Sequence, residues 1–212
     1  MATASITNAI RIGTKAKLFL VPAPATYSGD AKAIALAVTD LIYTTAGKKS
    51  GSTKVQPWGN ADENGWQLKV TTNTQEADTQ LGSKRIVGVE SVDVEFSGNI
   101  YDFDIDHLSD IFSKAAGDQI ATAAAAGEAG RTALGVGSEA YLTDYAICMQ
   151  LPSKEFAGAF DHIILPATNL VAKQDNKISK KEKLALKVEG KAYLRAEINH
   201  ILVYDFATEA AV

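Results

Sequence analysis

The chain has 212 residues, with 21 Lys and Arg against 25 Asp and Glu, for a formal charge of −4. That length suits one domain or two small ones without covalent staples, and an acidic balance with no basic aromatic stripe argues against sequence-specific nucleic-acid binding. The one cysteine, Cys148, excludes an intramolecular disulfide or a thiolate metal cluster, and its apolar setting, TDYAICMQL, marks it as a buried structural thiol. LFLV at 18–21 is far shorter than the ~7 to 15 apolar residues of a signal-peptide core. No apolar run is long enough to span a membrane, so the expectation is a soluble protein made in a reducing cytoplasm.

Ala16, Leu18 and Leu20 alternate with lysines and stop at Pro22, which predicts a first strand near 15–21. AKAIALAVTDLIY at 31–43 fits two periods. Ile34, Leu36 and Val38 alternate, while Ile34, Val38, Leu41 and Ile42 share a helix face; the balance leans to helix. Residues 44–65 form a polar loop of unusual length, carrying Val55 and Trp58 and ending at Trp66. Gln67 to Thr72 and Ile86 to Phe96 read as strands, and the Ala- and Gly-rich 115–138 as a surface insert with at most a short helix. Tyr145, Ile147, Met149 and Leu151 alternate, and Phe160 to Leu165 is an apolar run closed by Pro166. From 183 to 198 the alternation is long, with Gly190 marking a bulge or turn. Short strands between turn signals predict a single mainly β domain, 1–212, an antiparallel sandwich or barrel with one flanking helix.

Between Glu90 and Asp110 stand seven carboxylates and no Lys or Arg. Val92, Val94 and Phe96 fall on one side of a strand and Asp93, Glu95 and Ser97 on the other, so one face packs and the other is acidic and wet. Ser97, Gly98 and Asn99 read as a turn, and Tyr101, Phe103 and Ile105 resume the alternation. Asp106 is then a good N-cap for a short helix from about 107 to 115. Asp102, Asp104 and Asp106 match the first positions of an EF-hand loop, but His107 replaces its turn glycine and Ser113 its bidentate Glu, which argues against calcium. His107, His162 and His200 are too scattered for a ligand set, the last two being placed in strands. With no GxSxG, HExxH or phosphate loop, the expectation is a protein without catalysis, cofactor or metal.

Charge is also segregated along the chain. Seven lysines lie between Lys173 and Lys191, against Asp175, Glu182 and Glu189, so base at 173–191 faces acid at 90–110. Either these are two solvated faces of a monomer, or strand neighbours neutralise one another, or complementary patches meet between subunits and set their orientation.

The order of these parts resembles the tail tube (major tail) proteins of long-tailed bacteriophages, related to the tubes of contractile injection machines. The carrying stretches are AKLFLVPAP, the polar loop ending in GWQLKV, GVESVDVEFSGNIYDFDIDHLSDIFSKA, and the closing section from YAICMQLPSKEF to KVEGKAYL. The resemblance implies a β-sandwich whose copies close into rings, commonly hexameric, and stack into a hollow tube around a shared inner β-barrel. It implies a virion tail component that conducts genomic DNA as non-specific cargo, with sheath, tape-measure, baseplate and tail terminator proteins as further partners and no membrane. Asp93 and Glu95, with Glu189 and Glu197, are then candidates for the lumen wall, because a passage for DNA should not grip phosphate. Lys48, Lys49, Val55 and Trp58 become candidates for stacking between rings, and Lys177, Lys180, Lys181 and Lys183 for a basic patch between subunits. The insert at 115–138 would decorate the outside. The competing readings are a monomeric carbohydrate-binding module using Trp58 and Trp66 as stacking platforms, and another tail component such as a terminator or connector.

Overall fold

A computed structural model describes residues 2–12, 16–43, 60–61, 65–78, 84–101, 119–122, 131–134, 144–173 and 186–208. The chain is mainly β, with an antiparallel sheet curled into a half-barrel and, among the described residues, one helix. In chain order the elements are β1 (Ala2–Ile12), β2 (Lys17–Pro22), α1 (Ala31–Tyr43), β3 (Asn60–Ala61), β4 (Trp66–Asp78), β5 (Lys84–Tyr101), β6 (Gln119–Thr122), β7 (Arg131–Leu134), β8 (Tyr145–Pro152), β9 (Phe160–Lys173), β10 (Leu186–Ala192) and β11 (Val203–Asp205). The main sheet runs β1-β4-β5-β10-β9-β8-β2, with β11 added on β9 and β3 on β5. β6 and β7 pair separately, so the 115–138 insert contains a small β-ribbon where at most a short helix was expected.

One face of the sheet is packed from β4 across to β2. Leu18, Trp66, Leu68, Val94, Phe96, Ile147, Met149, Leu165, Leu186 and Val188 are packed into one cluster inside the curl. On the opposite face, α1 covers only the β2-β8-β9 end, where Phe19, Ala146, Cys148 and Ile164 meet Ile34, Val38 and Ile42. These strands are therefore apolar on both sides, which is why β8 is buried at six consecutive positions. Cys148 lies inside this second cluster, and burial pushes its thiol up to about 12.

The ambiguous segment at 31–43 is helical because that choice buries the better face. Ile34 and Val38 are fully buried while Leu36, which a strand would have turned inward with them, is 52% exposed. Asp30 supplies the N-cap, its Oδ1 accepting from the Ala33 amide at 2.7 Å. The helix expected at 107–115, with its cap Asp106, lies outside the described residues.

Four expectations about strands need correction. The first concerns 97–99, which are not a turn: β5 continues to Tyr101, and Gly98 is there because the Trp66 ring occupies the space where a Cβ would stand. Pro166, secondly, does not close its strand. Between Leu165 and Thr168 β9 spends three steps against two on β8 from Ile147 to Tyr145, so Pro166 sits at a bulge, where a missing amide costs no ladder bond. Its carbonyl accepts instead from Tyr27 Oη at 2.6 Å. Thirdly, the strand expected at 183–198 ends at Ala192, the last residue of β10, after which the Tyr193 amide bonds the Ala167 carbonyl and the chain turns away. Leu194 is consequently 56% exposed, and His200 lies outside any strand. Gly190, finally, marks neither bulge nor turn: it stays in register opposite Leu170, whose Cδ2 would lie 2.7 Å from an added Cβ.

Candidate functional site

Beyond the reach of α1, no described element covers the outer face of the β4-β5-β10 part of the sheet, and the register decides which side chains share it. Lys69 on β4 stands opposite Glu95 on β5, and Glu95 opposite Lys191 on β10, which in turn faces Asn169 on β9. The next row joins Gln67, Ser97, Glu189 and Val171 in the same manner. Together they border a shallow trough of about 650 Å³.

The acids of this face are paired, Glu95 and Asp93 across strands and Glu189 within β10. Lys69 Nζ lies 2.9 Å from Glu95 Oε2, Lys191 Nζ 2.9 Å from Asp93 Oδ1, and Lys187 Nζ 2.7 Å from Glu189 Oε1. Asn73 Nδ2 donates to both Ser91 Oγ at 2.8 Å and Asp93 Oδ2 at 3.2 Å. The hydrogen bond from Lys191, its positive charge, and the Asn73 amide hold the Asp93 carboxyl below the usual range, and the same contact raises Lys191. The face is partly exposed and not uniformly acidic, because three lysines pair with Asp93, Glu95 and Glu189. One pair joins the two segregated stretches directly, Lys191 on β10 with Asp93 on β5, while Lys177, Lys180, Lys181 and Lys183 lie outside the described residues.

Glu197, grouped with these residues by alternation, belongs elsewhere. Because β10 ends at Ala192, Glu197 pairs with Arg195 at 2.8 Å. Arg195 also donates to the Pro24 and Ala25 carbonyls at 2.6 and 2.8 Å and lies over the Tyr27 ring, tying the closing segment to the link between β2 and α1. Lys69 and Asn73, partners of the acids, were not singled out by the sequence as part of this face, whereas Lys191 was read on the polar side of a strand that could share it. Alternation in WQLKV and VEGKA does put both lysines on polar sides, but only strand pairing says whom they meet.

Trp66 is 1% exposed and stacked on Phe96 with ring centroids 5.5 Å apart, so it is core and offers no platform to a sugar. Gly65, at φ 69°, turns the chain into β4, and just before it Asn60 and Ala61 pair with Tyr101 and Ile100, so the far end of the 44–65 segment is held on β5. Lys48, Lys49, Val55, Trp58, Lys177, Lys180, Lys181 and Lys183 lie outside the described residues, as do Asp102, Asp104 and His107. Among the described residues no group of three or more His, Cys, Asp or Glu is placed to hold a metal, and no helix is long and apolar enough to cross a membrane.

A second surface lies at the far end of the β4–β5 hairpin. Two register shifts there, skipping Glu90 and Val87, set Val89 opposite Thr74 and Ile86 opposite Glu76. Val92, Val89 and Ile86 thereby all stay on the side of the sheet that carries the core. They are 40%, 62% and 51% exposed.

The chain matches no protein-family model and no curated protein.

Proposed function

We propose that the protein is a structural subunit that polymerises, and that the polymer is a hollow tube of stacked rings of the phage tail type. The observation that carries the reading is the apolar row Val92, Val89 and Ile86, kept on the core side of the sheet and 40–62% exposed, with none of them in the core built by the described residues. Isolated exposed valines are ordinary, but a row that two strand irregularities hold on one side suits burial by another molecule. The curled sheet supports the same reading. It stops at half a barrel, and among the described residues nothing pairs with the outer edge of the 11-residue β1. Long open edges are templates for pairing, so closure by further copies satisfies both features. In such a ring the polar face of β4, β5 and β10 lines the lumen, the segment before β3 reaches the next ring, and DNA passes without being bound.

Negative-stain electron microscopy of the concentrated protein, with salt varied, tests this directly. Rings or tubes of uniform diameter are expected, and Val89→Lys is expected to leave the subunit folded but unable to assemble. A deletion of residues 47–59, which spares the pairing of β3 with β5, should likewise block stacking. Tubes formed equally well by the Val89→Lys protein would refute the role given to the hairpin, and a monomer under every condition would count against the tube.

A further inference from the structure

The open face carries lysines that would suit phosphate, yet each is engaged. Lys69 and Lys191 flank Glu95 on the two neighbouring strands, so they stand about 10 Å apart across three strands. Both side chains are roughly half exposed, at 43% and 62%, and they border a concave surface. An exposed ammonium pair in a trough is the type of feature that a nucleic-acid backbone binds, releasing its counterions. Here Glu95 takes Lys69, Asp93 takes Lys191, and Asn73 holds Asp93 in place from the other side.

We infer that Asp93 and Glu95 keep duplex DNA off this face by holding Lys191 and Lys69 in ion pairs, and that without the two carboxylates the trough becomes a phosphate-binding surface. The inference takes its biological sense from the tube reading, in which the face lines a DNA passage, while its chemistry belongs to the single chain. It differs from repulsion by a uniformly acidic wall. A balanced wall neither holds DNA nor crowds the passage with counterions.

The test uses the full chain, a fluorescent random-sequence DNA duplex and anisotropy at several salt concentrations. Wild type should show no salt-dependent binding. D93N/E95Q should bind, and with two lysines released at a slope of about −0.9 each, its affinity should fall about tenfold from 50 to 200 mM salt. Adding K69Q and K191Q to that variant should remove the binding. If D93N/E95Q does not fold, D93T/E95T takes its place, since threonine suits a strand. Wild type binding as tightly as the variant, or a folded variant indifferent to DNA, overturns the inference. Microscopy of the same preparations separates the two ideas: tubes from wild type with no gain of DNA binding in the variant sink the guarding role alone. A gain of binding by a chain that never assembles sinks the tube and leaves the guarding role standing.

Discussion

Replacing Gly98 by alanine should expose how tightly the β4–β5 pair is packed around Trp66. The added methyl would collide with Cε3 of the Trp66 ring and lie 2.9 Å from its Cζ3, inside contact distance. The ring has nowhere to withdraw, being 1% exposed and stacked on Phe96. Gly98 has no left-handed backbone, so the expected cost is steric alone, about 1–3 kcal/mol for overpacking a filled core. For a chain of this size that is a fall in Tm of about 2–4 °C per kcal/mol. Denaturant unfolding of wild type, G98A, W66F and the double variant measures it, since phenylalanine lacks the benzo ring that carries Cε3 and Cζ3. The alanine should cost at least about 1 kcal/mol less in the W66F background. A G98A protein as stable as wild type, or an equal cost in both backgrounds, would refute the claim that this glycine exists to admit the indole.

Three further outcomes follow from buried polar groups. Tyr27→Phe strands the Pro166 carbonyl at the β9 bulge and should destabilise by about 1–3 kcal/mol in denaturant unfolding; a neutral result would mean that the carbonyl finds another donor. Thr168 is fully buried, and among the described residues its hydroxyl has no hydrogen-bond partner, so Thr168→Val should stabilise by about 1 kcal/mol, and a loss would show that the hydroxyl is satisfied. Burial holds the His162 imidazole below its usual 6.5, against the opposing pull of Asp205, 3.5 Å away, and of Asp161. The unfolded chain therefore takes up the proton first as pH falls, and stability present above about 6.5 should decline below it. His162→Gln should flatten that part of the stability profile, and an unchanged slope would place its origin in other groups.

Periodicity alone carried much of the architecture. Alternation located β2, β4, β5, β8 and the start of β9, and the apolar context of Cys148 pointed to burial, because side-chain direction in a strand is a local property of the backbone. The helix at 31–43 was only half legible, since both periods fit and burial of Leu36 was the deciding question. Residues 97–99 and Pro166 misled because a local turn signal is overridden where an aromatic ring needs a glycine or a bulge accommodates a proline. The candidate site shows the same division. The chain by itself put Asp93 and Glu95 on one wet face, and lysines at 69 and 191 on polar sides of their own strands. Only pairing between strands brought them within 2.9 Å, removed Glu197 to Arg195, and kept Val89 beside Val92, because register is set by contacts between residues far apart in the chain.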